Sequence, residues 1–88
     1  MPIISQFYGI LISLYYNEKE KHKLSHLHVR YNEYKASYDF DANLLEGKLP
    51  MKQSKMVEAW IMIHKEELMT LWKLINDEGK FFKIEPLK

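Results

Sequence analysis

His26-Leu27-His28-Val29-Arg30-Tyr31-Asn32-Glu33-Tyr34-Lys35-Ala36-Ser37-Tyr38-Asp39 alternates polar and apolar residues on both sides of Asn32-Glu33. Successive side chains of a β-strand point to opposite faces. His26, His28 and Arg30 therefore share one face, and Leu27, Val29 and Tyr31 share the other. Asn tolerates the left-handed conformation of a tight hairpin, so Asn32-Glu33 reads as a two-residue turn between a strand from about Ser25 to Tyr31 and a returning strand from Tyr34 to Asp41. With Tyr31 opposite Tyr34, Arg30 meets Lys35, Val29 meets Ala36, His28 meets Ser37, Leu27 meets Tyr38 and His26 meets Asp39. Apolar residues meet apolar ones and polar residues meet polar ones. A slip of one residue would mix the two sets.

Before this hairpin, Phe7 to Tyr16 is aromatic and β-branched and reads as one strand. Residues 17–23 are a charged, solvated connection. After it, Leu44-Leu45-Glu46-Gly47-Lys48-Leu49-Pro50 reads as a link with a short extended piece. Pro50 suits the first position of a helix, where a missing N–H costs nothing. From there to about Asn76, Val57, Ile61, His64, Leu68, Leu71 and Ile75 recur at steps of four and three, making one continuous stripe flanked by Trp60 and Trp72. Gly79 is the stop signal. Phe81-Phe82-Lys83-Ile84 is an apolar tail that adds a strand or packs over the core. The expected architecture is α+β in a single domain, residues 1–88. A three-stranded antiparallel sheet (four-stranded if the tail joins it) has one long C-terminal helix packed on one face.

The chain has 88 residues, 47% of them hydrophobic and 14% aromatic, enough for one core and too few for two. There is no cysteine, hence no disulfide frame and no thiolate chemistry. Met1-Pro2-Ile3-Ile4-Ser5 has neither a basic segment nor a small-residue cleavage site, so no signal peptide is expected. No apolar run approaches membrane-spanning length. These features point to a cytoplasmic protein with no membrane partner. The formal net charge is +1, so any affinity for nucleic acid must come from a local basic patch.

The polar face of the hairpin is the candidate site. A carboxylate on one imidazole nitrogen fixes the tautomer and raises the basicity of the other, a role open to Asp39 across from His26. Arg30 can hold a phosphate oxygen through its fork of donors. His26, His28, Asp39 and Arg30 thus supply the base, acid and cation that phosphodiester cleavage needs; a solvated polar face without turnover uses the same residues. No cofactor is required. The alternative is a divalent metal held by His26, His28 and Asp39, or with His22 in place of Asp39 as the third ligand. His64, in the apolar stripe, reads as a core histidine hydrogen-bonded to backbone, to a Tyr hydroxyl or to Glu67. Lys19, Lys21, Lys23, Arg30 and Lys35 beside Tyr15 and Tyr16 suit a single strand of RNA or DNA or a protein partner, although Glu18, Glu20 and Glu33 dilute them. Pro2 reads as a strand-leading residue rather than a catalytic N-terminal amine.

Several segments together resemble a family of small bacterial proteins, the domain of unknown function 4160. Met1-Pro2-Ile3-Ile4-Ser5 and Phe7-Tyr8-Gly9-Ile10 are similar to its opening. His26-Leu27-His28-Val29 is similar to its central Pro-His-Phe-His-Val signature, with Ser25 in place of the usual Pro and Asn32 where Gly is common. Gly47-Lys48-Leu49-Pro50, Glu58-Ala59-Trp60, His64-Lys65-Glu66-Glu67-Leu68 and Trp72 are similar to its helical half, and Ile84-Glu85-Pro86-Leu87 to its ending. The resemblance implies a component of a toxin–antitoxin-type two-protein system, with the product of a neighbouring gene as partner. The expected function is a binding module. It uses the open His/Arg face for a protein or nucleic-acid partner, through Arg30, Lys35, Lys23 and Tyr15, and a sheet edge for a homodimer. The alternative is an endoribonuclease toxin with His26, His28 and Asp39 as its acid–base site, metal-independent or metal-assisted.

Overall fold

The computed structural model describes residues 2–14 and 25–88. Five strands, β1 (Ile3–Phe7), β2 (Ile10–Ser13), β3 (His26–Tyr31), β4 (Tyr34–Asp39) and β5 (Leu44–Gly47), precede two helices, α1 (Met51–Ile63) and α2 (Lys65–Glu78). The strands lie in chain order in one sheet, each antiparallel to the next. The expected sheet of three or four strands under one long helix is therefore corrected to five strands and two helices.

Each difference has a local cause. Phe7 to Tyr16 is not one strand, because Tyr8 (φ 49°) and Gly9 (φ 81°) both take the left-handed conformation. Two such residues in succession make the tight turn whose twist matches a hairpin. The chain folds back there, pairing Phe7 with Ile10. A tyrosine rarely adopts positive φ, so only Gly9 hinted at the turn. The segment read as a link contains β5, whose Glu46 pairs with Ser37 and Gly47 with Ala36. Gly47 is required there: its φ is 76°, and a Cβ would lie 2.1 Å from the Lys35 carbonyl oxygen.

The helix breaks at His64, where φ −108° and ψ 21° leave the helical region. Hydrogen bonds bracket the break, His64 N–H to the Trp60 oxygen at 3.0 Å and Leu68 N–H to the His64 oxygen at 2.9 Å. The apolar stripe runs on across it, so periodicity alone did not reveal it. Glu66 and Glu67 stand in the first turn of α2, where negative charge suits a helix N-terminus. Pro50 is the N-cap of α1 rather than its first helical residue, and Gly79 ends α2 in the left-handed conformation.

The β3–β4 register consists of the six expected pairs, with Asn32 at φ 53° in the turn. Leu27, Val29, Ala36 and Tyr38 join Ile10 and Ile12 in a core closed by Val57, Trp60, Ile61, Leu68, Leu71 and Ile75 of the helices. Each such aliphatic side chain stabilises the fold by roughly 1.5–3 kcal/mol relative to exposure. The tail forms no strand. It lies along β1, at a bulge between Ile3 and Ser5. There the Ile84 N–H donates to the Ile4 oxygen at 2.8 Å, and the Ser5 hydroxyl donates to the Ile84 oxygen at 3.0 Å. Trp60 Nε1–H donates to the Glu85 oxygen at 2.8 Å, and Ile84 is buried.

Candidate functional site

Strand parity and register place two cross-strand rows on the side of the sheet opposite the core. Ser13, His28, Ser37 and Glu46 form one row over β2 to β5. Leu11, Arg30 and Lys35 form the next. Both helices pack on the core side, and α2 also reaches His26 at the start of β3. Ser13, His28, Arg30, Lys35, Ser37 and Glu46 line a concavity of about 490 Å³, together with Val29, Ala36 and Gly47.

Arg30 and Lys35 are exposed and face each other directly across β3 and β4. Like charges in that relation are destabilising. Among the described residues, none of the ion pairs involves either one. Ser37 is buried, and its Oγ lies 3.5 Å from His28 Nδ1, at the outer limit of a hydrogen bond. Glu46 is exposed at the rim.

His26 departs from the expected uncovered row. It is 4% exposed, and its ring centroid lies 5.4 Å from that of Trp72 on α2 and 5.1 Å from that of His28. The two imidazoles are neighbours, but α2 reaches over the first.

Asp39 stands opposite His26 in register, and its carboxylate serves its own turn. Oδ1 accepts the Asp41 N–H at 2.9 Å and the Asn43 N–H at 2.8 Å; Oδ2 accepts Asn43 Nδ2–H at 3.0 Å. Burial alone would raise this carboxyl. The hydrogen bonds from Asn43 and Asp41 and the nearby Lys65 charge outweigh it and hold the group below its ordinary value. Lys65 pairs with Asp41, whose hydrogen bond and charge raise the ammonium above its ordinary value.

No group of three His, Cys, Asp or Glu among the described residues could hold a metal ion, so the alternative set of His26, His28 and Asp39 is not assembled as one. His64 Nδ1 pairs with Glu67 Oε1 at the helix junction, with its ring 5.3 Å from Trp60. Tyr15, Tyr16, Lys19, Lys21, His22 and Lys23 lie outside the described residues. Among the described residues no helix is long and apolar enough to cross a membrane.

Ser13 and Glu46 were missed from the sequence. Each becomes visible once its strand is assigned: Ser13 by counting forward from the Tyr8-Gly9 turn, Glu46 by reading Leu44-Leu45-Glu46-Gly47 as an edge strand.

A family model described as a domain of unknown function (DUF4160) matches residues 9–73, a span that includes every residue lining the concavity. No curated protein and no solved structure matches the chain.

Proposed function

We propose that this chain, which belongs to the DUF4160 family, is a binding module that receives its partner on the face of its sheet that carries Arg30 and Lys35. The observation that carries this reading is the facing of Arg30 and Lys35 across two strands in an open concavity. Two facing cations that form no ion pair among the described residues cost stability, and a partner's negative charge removes that cost. The finer reading is a component of a toxin–antitoxin-type pair that acts in the cytoplasm with the product of an adjacent gene; the family resemblance supports it. The edge strand β5, exposed along its length with Leu44 and Leu45 about half-exposed, is the surface for a homodimer, since the tail already lies along β1.

The test is co-expression with the adjacent gene product, followed by affinity purification and light scattering. A complex that forms with the wild type and is lost in the Arg30→Glu/Lys35→Glu variant supports the reading. An unchanged complex refutes the role of this face. The nuclease alternative draws support from the 5.1 Å spacing of the His26 and His28 rings. The packing of His26 on Trp72 and the three hydrogen bonds that Asp39 accepts within its turn weigh against it. Purified protein that leaves RNA intact disposes of that alternative; cleavage lost in His28→Ala revives it.

A further inference from the structure

We infer that Arg30 and Lys35 form a phosphate subsite and that the open face takes the phosphodiester backbone of a single-stranded nucleic acid, an inference that rests on the binding function proposed above. The first ground is charge. Neighbouring strands lie about 4.8 Å apart, so two cations facing each other present their donors to one small region. The guanidinium supplies a planar fork suited to two oxygens of one phosphate, and the ammonium supplies a point charge.

The second ground is the character of the lining. Beside Val29 and Ala36, the Ser13 and Ser37 hydroxyls and the His28 imidazole line the concavity, and all three are groups that bond phosphate and sugar oxygens. Protein interfaces are anchored by buried aromatic and aliphatic side chains. In the two rows and their continuation onto β1, this face offers Leu11 and the exposed Ile3. The strongly exposed apolar residues Met62, Ile63 and Met69 are on the helices. A polar and basic face with few apolar anchors has the make-up of a nucleic-acid interface.

The third ground is shape. The concavity spans four strands, a width of about 14 Å at the usual strand spacing. That accommodates one backbone and not two held side by side. Glu46 at the rim repels phosphate, so the strand runs along Arg30 and Lys35 and skirts the Glu46 end of the neighbouring row.

The experiment is fluorescence anisotropy with a labelled single-stranded 12-nucleotide RNA, the DNA of the same sequence, and the DNA duplex, over a salt series. The single strands should bind alike, since backbone is what is read, and more tightly than the duplex. Two phosphate contacts predict a slope of log K against log salt of about −1.4, and Lys35→Gln should reduce its magnitude by about 0.7. Arg30→Glu/Lys35→Glu should weaken binding by at least about tenfold at low salt while the thermal melt stays cooperative. Glu46→Gln should tighten it. The inference is overturned if neither single strand binds at low salt, if the duplex binds more tightly, or if the double variant binds as the wild type does. If no oligonucleotide binds but a protein partner does so through Arg30 and Lys35, this inference falls and the binding function stands. If neither binds, both fall.

Discussion

Asn43 reaches Asp39 twice, through its backbone N–H at 2.8 Å and its side-chain amide at 3.0 Å, closing the turn that launches β5. The aspartate that the hairpin register sets across from His26 thus belongs to a turn, and its chemistry is first of all structural.

Asp39→Ala removes three hydrogen bonds to a charged acceptor and should lower stability by about 1–2 kcal/mol, measured by urea denaturation. Because the folded carboxyl lies below its ordinary value of 3.8, its contribution is fully present above that pH. It is lost as the pH falls further, through the depressed value. The wild-type and Asp39→Ala stability curves should therefore converge on acidification below about pH 4. Parallel curves would show that this turn contributes nothing through charge.

Arg30→Glu replaces a like-charge pair across β3 and β4 with an opposite-charge pair. The variant should be more stable than the wild type by about 0.2–1 kcal/mol at low salt, and the gain should shrink as salt is added. Calorimetry that finds it destabilised would mean that Arg30 contributes packing or bonding beyond its charge.

Gly47→Ala places a methyl group against the Lys35 carbonyl oxygen and holds a non-glycine residue at φ 76°. The cost should be about 3 kcal/mol. Hydrogen exchange should show the loss concentrated in β5 and the adjoining part of β4. A variant with unchanged stability would contradict the β4–β5 register.

Tyr38 is wholly buried, and its hydroxyl lies 2.7 Å from Ser54 Oγ, which donates to Glu58 Oε2 at 3.0 Å. Burial raises the phenol above its ordinary value of 10.0; the Ser54 hydrogen bond opposes this and Glu58 adds to it. The unfolded chain therefore releases this proton first, and stability falls as pH rises past 10. Tyr38→Phe should remove that component of the alkaline loss and cost about 1 kcal/mol near neutrality. An alkaline profile identical to the wild type would refute the assignment.

The β3–β4 hairpin was legible because fourteen consecutive residues obey a period of two around one turn, and only one register keeps apolar residues together. The helical layer was legible from its stripe. What escaped was decided by single backbone angles or by distant partners. Tyr8-Gly9 sits inside an apolar run with no polar punctuation, and β5 gains its identity only by lying beside β4. His64 breaks the helix without moving the stripe out of phase. At the candidate site, Arg30, Lys35 and His28 follow from parity, whereas the covering of His26 depends on Trp72, forty-six residues later, and Asp39 bonds locally instead of across the strands.

The contact between Ser5 and Ile84 joins positions 79 apart along the chain, so the two outermost stretches of the fold are neighbours in space. A short Gly/Ser connection from residue 88 to residue 2 would close the polypeptide into a ring with little distortion. New termini opened at the exposed hairpin tip, between Asn32 and Glu33, should then give a circular permutant that retains the same fold.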